Sequence, residues 1–311
     1  MIWHHSLDPV ALGLGFLEIQ WYGVFYAISF IFVFFWLQNL AKKRQVDFSK
    51  RQIEDLIFAI ILGVIFGGRI GYFLFYNFEN LLSLELFKIW NGGMSFHGGL
   101  IGVLVAIFWL TKKWQKSFLE ISDMLVIPAA IGLFFGRIGN FVNGELFGQA
   151  TSGKWGVIFP RADELPRFPS QLFEAVKNLL IAGILFLAFQ KKPQTGILSF
   201  LFLAFYGGGR ILVELFWREP LDGFILGMPR GAFFSLPVFA VGIAGLVFLN
   251  FKKFGKTPME SRERERRKNK GLRNKKGRMK DTEYGSRLPT ISFQFVKICT
   301  SLFCARVNGR Y

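Results

Sequence analysis

The chain of 311 residues is 52% hydrophobic and 17% aromatic, but only 19% of its residues are charged. Soluble domains usually carry about 25% charged residues, so this composition excludes a disordered chain and argues against an ordinary soluble domain. The formal net charge of +17 taken alone would indicate a nucleic-acid-binding protein. The position of the charge along the chain therefore has to be established first.

Most of the positive charge lies in the last part of the chain. Residues 252–311 carry 18 Lys+Arg and 5 Asp+Glu, whereas residues 1–251 carry 20 and 16. We therefore predict a hydrophobic membrane domain over 1–251 and a basic tail over 252–311 that is largely disordered. Attraction of the tail to anionic membrane lipids is its most specific role; the alternative is a dispensable extension. No nucleic-acid partner is expected.

The hydrophobic domain predicts an all-α polytopic membrane protein. A stretch of about 18 or more apolar residues can cross a bilayer as a helix. The chain contains roughly seven such stretches: Ile19–Leu40, Leu56–Tyr76, Gly93–Leu110, Ile121–Val142, Leu172–Phe189, Ile197–Phe216 and Ala232–Phe251. Clusters of Lys and Arg follow the first, third, fifth and seventh stretches. Because basic loops stay in the cytoplasm, the N-terminus is predicted outside and the C-terminus in the cytoplasm.

Arg69, Arg137, Arg210 and Glu214 are charged residues that lie inside these apolar stretches. Each costs about 2.5–3.5 kcal/mol near the middle of a bilayer, so each requires an explanation. A Gly-Arg element precedes or surrounds each arginine, and all three occupy the later half of spans that run outward. We predict that they line a polar cavity for an anionic group. The alternatives are snorkelling to the headgroups and, for Arg210 and Glu214 at i,i+4, a local ion pair.

Two polar segments lie near the predicted outer surface. His97 is flanked by glycine pairs at the start of the third span, although a lone histidine in a membrane is often only a packing residue. Arg137 and Asn140 share a helix face at i,i+3, and Asn143-Gly144 is expected to end the fourth span. Helix capping explains Asn143 and Gly144, but it leaves Glu145 without a structural role.

With these segments the chain resembles the prolipoprotein diacylglyceryl transferase family. The resemblance covers about residues 1–251, in the family's order. Its motifs are Trp21–Gly23, Gly67–Tyr72, Phe75–Asn77, Gly92–Gly99, Gly136–Gly148, Pro169–Glu174 and Arg210–Glu214. Two features depart from the family: Ala232 follows Gly231 where many members have glutamine, and the long basic tail is atypical.

The resemblance implies a seven-helix enzyme of the bacterial inner membrane, with its active site toward the outer leaflet. Such an enzyme transfers the sn-1,2-diacylglyceryl group of phosphatidylglycerol to the lipobox cysteine of a preprolipoprotein signal peptide and releases glycerol phosphate, the first step of lipoprotein biosynthesis. The resemblance implies that Arg137 binds phosphatidylglycerol, and we group Arg69 and Gly148 with Arg137 as substrate-binding residues. It associates a further set with activity: Tyr22, His97, Asn140, Glu145, Arg210 and Glu214.

The chemistry requires a thiolate, neutralisation of the leaving phosphate and exclusion of water. His97 fits the general base best by residue type, with Glu145 and Glu214 as rivals. Cys299 and Cys304 both lie in the tail, so residues 1–251 have no thiol of their own and the nucleophile comes with the substrate. No metal, nucleotide or other cofactor is expected.

Two other classes of function remain open on the sequence. Intramembrane arginines also mark substrate pathways, so the chain could be a transporter or flippase of an anionic lipid or organophosphate. The Gly-Arg elements argue against this, because they lie on helices of like orientation and indicate no inverted repeat. A structural or assembly protein is the third possibility, but it leaves His97, Glu145 and the arginines without a role.

Overall fold

The computed structural model describes residues 1–14, 17–42, 48–80, 83–88, 93–153, 155–220 and 223–254. Within these residues the chain forms seven α-helices, which agree with the seven predicted stretches apart from their ends. They are α1 (Trp21–Lys42), α2 (Lys50–Tyr76), α3 (Phe96–Trp114), α4 (Phe118–Val142), α5 (Ser170–Gln190), α6 (Ile197–Phe216) and α7 (Arg230–Phe254). Tail residues 255–311 lie outside the described residues, so the division of the chain near residue 251 stays a prediction.

Six of the described helices are long and apolar enough to cross a membrane, and the remaining helix is α3. It has 19 residues and carries Lys112 and Lys113 in its last turn. The prediction of an all-α polytopic membrane protein is confirmed. The placement of the N-terminus outside and the C-terminus in the cytoplasm stays a prediction.

Short strands connect the helix ends on one side of the bundle. Strand β1 (Ile2–His4) pairs in parallel with β4 (Gly156–Ile158), which pairs antiparallel with β5 (Pro166–Arg167). Two hairpins complete the set, β2 (Val10–Leu14) with β3 (Leu17–Gln20) and β6 (Phe224–Ile225) with β7 (Met228–Pro229). The N-terminal segment therefore fixes the long α4–α5 connection through main-chain hydrogen bonds.

The apolar core lies toward the opposite ends of the helices. One cluster joins the end of α1, the start of α2, the end of α3 and the start of α4, with Leu40, Leu56, Leu110 and Ile121 among its fully buried members. A second cluster joins α4, α5 and the start of α6. Asp123 of α4 closes this end: its carboxylate accepts hydrogen bonds from Gly196 N at 2.6 Å and Ser199 N at 2.8 Å, capping α6 from a neighbouring helix.

Helices α2 and α3 approach each other through small residues. Gly63, Gly67 and Gly71 of α2 lie against Gly98 and Gly102 of α3, and a Cβ atom on Gly102 would overlap the carbonyl oxygen of Gly63. Such small-xxx-small stripes let helix backbones touch within a membrane. The glycines near Arg69 and His97 therefore serve helix packing.

We expect Gly102→Ala to destabilise the protein, because the added methyl group forces the two backbones apart at a cost of about 1–3 kcal/mol. Gly183→Ala is the matched control, since a Cβ atom at this helical glycine of α5 meets nothing within 4 Å. Thermal unfolding in detergent should show a lower midpoint for Gly102→Ala alone. Equal midpoints for the two variants would contradict the packing.

Candidate active site

A buried carboxylate, Glu174, joins three helices at the end of the bundle that the apolar core leaves open. Its side chain is fully buried one turn into α5. Glu174 Oε1 lies 2.7 Å from Arg210 Nη1 of α6, and Glu174 Oε2 lies 3.2 Å from both Arg137 Nε of α4 and Lys177 Nζ. Three cations thus share one carboxylate.

A second carboxylate extends this arrangement along α6. Arg210 and Glu214 form the ion pair that their i,i+4 spacing predicts, and Arg218 Nε lies 3.2 Å from Glu214 Oε1. Burial lowers the pKa of Arg218, which lies just beyond the end of α6, to about 10, so its guanidinium remains protonated near neutral pH. We call the six residues the Glu174 cluster: Arg137, Glu174, Lys177, Arg210, Glu214 and Arg218.

The Glu174 cluster holds four cations and two carboxylates, a surplus of two positive charges in a largely buried position. Uncompensated charge inside a low-dielectric region is costly. Arg137 Nη2 has no hydrogen-bond partner among the described residues, so it can reach a ligand. The arrangement favours an anion, and guanidinium groups match the geometry of phosphate.

Glu145 is connected to the Glu174 cluster by a chain of amide hydrogen bonds. Arg137 Nη1 donates to Asn140 Oδ1 at 3.1 Å, and Asn140 Nδ2 donates to Glu145 Oε1 at 2.8 Å. Gln171 Nε2 donates to the main-chain oxygen of Glu145 at 2.7 Å. The helix ends at Val142 as predicted, and the turn brings Glu145 back beside α5. Arg137, Asn140 and Glu145 therefore form one polar path.

Tyr22, at the start of α1, lies beside this path. Its ring packs on Gly139 of α4, and its hydroxyl lies 3.3 Å from that of Tyr26. A Cβ atom on Gly139 would lie 2.7 Å from Tyr22 Cδ2. The structure thus places Tyr22 next to the turn of α4 that carries Asn140.

Gly148 occupies a position where its main chain runs between two other segments. Gly148 N donates to Phe168 O at 2.9 Å, and the next residue, Gln149, donates to Trp217 O at 2.9 Å. A Cβ atom on Gly148 would lie 2.6 Å from Phe168 O, so no side chain fits. Gly148 thus allows the segment that follows Glu145 to pack between the residues that precede α5 and the beginning of the α6–α7 connection.

Arg167 holds these connections together, although the sequence did not indicate it. Its guanidinium donates to Asp163 Oδ2 at 2.6 Å, to Glu219 Oε2 at 3.1 Å and to the main-chain oxygen of Gly148 at 3.1 Å. The hydrogen bonds from Arg167 hold the pKa of the Asp163 carboxyl below its ordinary value. This support is therefore present above the ordinary pKa of an aspartate and is lost as the pH falls through the lowered value.

Arg69 departs from the prediction that three arginines line one cavity. Its guanidinium donates to the main-chain oxygens of Glu85, Leu86, Lys88 and Gly93 at 2.5–3.1 Å. The Phe73 ring lies 4.9 Å below it. Four carbonyl oxygens compensate its charge, so Arg69 fastens the α2–α3 connection, whereas Arg137 and Arg210 meet at Glu174. These hydrogen bonds do not connect Arg69 to the other two arginines, and its role in phosphatidylglycerol binding stays a prediction.

His97 lies in the first turn of α3 and is exposed. Its ring centroid lies 6.1 Å from that of Phe234, near the start of α7. This contact places His97 of α3 beside the start of α7. Glu145 is hydrogen-bonded to the Glu174 cluster through Asn140, so hydrogen bonds connect it to the arginines, whereas the catalytic role of His97 stays a prediction.

Sequence reasoning gave no site role to three members of the Glu174 cluster. Glu174 was recognised only as part of a motif, and Lys177 and Arg218 were not considered. Spacing could have indicated them, because Lys177 is at i+3 from Glu174 and Arg218 at i+4 from Glu214. Within the described residues, no group of three or more His, Cys, Asp and Glu could hold a metal ion.

Comparison with known proteins identifies the family of the chain. The family model described as prolipoprotein diacylglyceryl transferase matches residues 9–248. A phosphatidylglycerol–prolipoprotein diacylglyceryl transferase of Pseudoalteromonas atlantica is 46% identical over 253 residues, which cover 78% of this chain and 89% of the relative. Proteins of the same name from Nitrosomonas europaea and Geobacter sulfurreducens are each 41% identical, covering 87% and 80% of this chain and 100% and 98% of the relatives. The chain belongs to the prolipoprotein diacylglyceryl transferase family.

Proposed function

We propose that this chain transfers the diacylglyceryl group of phosphatidylglycerol to the cysteine thiol of a prolipoprotein. The observation that carries the proposal is the Glu174 cluster, whose surplus of positive charge lies among apolar helices. An anionic headgroup attached to two acyl chains fits such a position, because the charge is compensated while the chains stay in lipid. Family membership supports the same assignment.

The reaction forms a carbon–sulfur bond and breaks a carbon–oxygen bond. The thiolate sulfur attacks the glyceryl carbon that bears the phosphate, and the electron pair of the broken bond goes to the phosphate oxygen. The thiol proton goes to a base, and the products are the thioether-linked diacylglyceryl protein and glycerol phosphate. The nucleophile belongs to the substrate, in keeping with the absence of cysteine from residues 1–251.

The electrostatics of the Glu174 cluster suit the leaving group. A phosphodiester carries one negative charge, and a second develops on the departing oxygen. The two surplus positive charges of the cluster match the charge of about −2 on the departing phosphate better than the charge of −1 on the bound phosphodiester. The cluster therefore stabilises the transition state more than the bound substrate. Glu174 fixes Arg137 and Arg210 in advance, because it bonds to both guanidinium groups.

Glu145 is our candidate for the base that takes the thiol proton. A cysteine thiol has an ordinary pKa of about 8.5, so a base or a positive field must generate the thiolate. Glu145 Oε1 accepts from Asn140 and lies 3.4 Å from Asn143 Nδ2, whereas Glu145 Oε2 has no hydrogen-bond partner among the described residues. A carboxylate oxygen is thus available one amide away from Arg137.

The cellular setting is part of the same proposal. The substrate peptide carries a lipobox cysteine, and the enzyme lies in the bacterial inner membrane with its active site toward the outer leaflet. In this orientation, the end of the bundle that carries the short strands and the Glu174 cluster faces outward. The basic tail, residues 252–311, extends into the cytoplasm.

Arg137→Ala should lower kcat/KM by about 10²–10³-fold, because one preorganised donor to the phosphate is lost. Purified protein is incubated in detergent with phosphatidylglycerol and a lipobox peptide, and mass spectrometry detects the added diacylglyceryl mass. The control is Arg51→Ala, which changes an exposed arginine in the first turn of α2, at the end of the bundle away from the Glu174 cluster. Near-normal turnover of Arg137→Ala would refute its role, and absence of modified peptide with the unaltered protein would refute the transferase.

Lys177→Met should lower kcat about tenfold and change KM less, because the charge that it removes acts mainly on the leaving group. Lys113→Met is a matched control, because each of the two lysines lies over an aromatic ring. Lys113 Nζ lies 5.2 Å from the centroid of the Trp109 ring, and Lys177 Nζ lies 4.6 Å from that of the Tyr206 ring. Of the two, Lys177 is the one that contacts Glu174. A tenfold change corresponds to about 1.4 kcal/mol. Lys177→Arg should restore most of the rate; equal rates for both methionine variants would contradict the assignment.

The base is tested by comparing pH–rate profiles of Glu145→Gln and His97→Asn. We expect Glu145→Gln to lose at least about 10²-fold in kcat and His97→Asn to keep the profile of the unaltered protein. If His97→Asn instead loses activity mainly near neutral pH while Glu145→Gln keeps the profile, the base is His97.

A further inference from the structure

Asn178, in the middle of α5, has a buried amide without a hydrogen-bond partner in the part of the chain that the structure describes. Only 1% of the residue is exposed, and neither Oδ1 nor Nδ2 forms a hydrogen bond with a described residue. Within the described residues, no other side chain has both of its amide atoms in this state. Burial of an amide without compensation costs free energy, so a polar partner would be favourable here.

The position of Asn178 relates it to the Glu174 cluster. Gln171, Glu174 and Asn178 follow one another on a buried face of α5, and the first two are bonded into the candidate active site. One turn further on, the same face continues with Ile181 and Ala182, which belong to the apolar core. Asn178 is thus the last polar side chain before the region is entirely apolar.

The spacing along α5 matches the layout of the proposed lipid substrate. Asn178 is four positions after Glu174, which corresponds to a rise of about 6 Å along the helix. In a diacylglyceryl phosphate, one oxygen, two glycerol carbons and an ester oxygen separate the phosphorus from the nearer ester carbonyl, which is a similar reach. With the phosphate at the Arg137 and Arg210 side chains and the acyl chains extending toward the apolar core, an ester carbonyl comes level with Asn178.

We propose that the Asn178 amide donates a hydrogen bond to an ester carbonyl of the diacylglyceryl group, and that it thereby selects ester-linked over ether-linked phospholipid. The proposal rests on the proposed transferase function. A carbonyl oxygen accepts this bond better than an ether oxygen, and a site with an unpaired donor discriminates against a ligand that lacks the acceptor. For lipid to reach Asn178, the helices that cover it must move apart. Because the buried amide has no partner among the described residues, this separation costs less free energy than it would at a fully satisfied contact.

The test compares two phosphatidylglycerols of equal chain length, one with ester and one with ether linkages, as donors to a lipobox peptide. The unaltered protein should use the diester with about tenfold higher kcat/KM than the diether. Asn178→Leu, which keeps the branched side-chain shape but has no polar atoms, should bring this ratio close to one by slowing transfer from the diester alone. Thr111→Val, which removes a buried hydroxyl from α3, should keep the original ratio.

The possible outcomes separate this proposal from the transferase function. Equal use of both lipids by the unaltered protein would overturn the role of Asn178, and this measurement needs no variant to fold. A preference that persists in Asn178→Leu would also overturn it, and would indicate that the amide is structural or bonded to water. Failure of both lipids to modify the peptide would instead refute the proposed function.

Discussion

The sharing of one buried carboxylate among three cations is the constraint on which the site depends. Glu174 has no contact with solvent and joins α4, α5 and α6 through Arg137, Lys177 and Arg210. Isolated charges at this depth would be expensive, and ion pairing reduces that cost without cancelling the positive surplus. The helices therefore hold two guanidinium groups beside one carboxylate, and the Glu174 cluster keeps a net positive charge.

The rest of the fold supports this arrangement from two sides. Apolar packing and the Asp123 cap close the opposite ends of the helices, so α4, α5 and α6 are fixed relative to one another. At the site end, short strands and the Arg167 hydrogen bonds fix the long connections, which places Glu145 next to Asn140. The packed apolar core at one end of the bundle thus holds the charged side chains at the other end in position. Electrostatic catalysis requires charged groups that are fixed in place in this way.

Arg69 and Arg137 show why similar motifs acquired different roles. Both follow a glycine and precede Ile-Gly in the sequence. Arg69 lies beside a connection whose carbonyl oxygens point inward, so backbone dipoles compensate its charge. Arg137 faces the start of α5, where a carboxylate meets it. Local sequence set the residue type and its depth, but the neighbouring segment decided the partner.

The sequence by itself determined the seven helices and the end of α4 at Val142, and it offered the pairing of Arg210 with Glu214 as one of two interpretations, because apolar length, capping and i,i+4 spacing are local properties. It also identified Arg137, Asn140 and Glu145 as unusual. Only the tertiary structure decided that Arg137 and Arg210 meet at Glu174, that Arg69 bonds to the α2–α3 connection and that the Asn178 amide has no partner among the described residues. These facts depend on which helix faces pack together, and hydropathy does not encode that choice, since every face of a membrane helix is largely apolar.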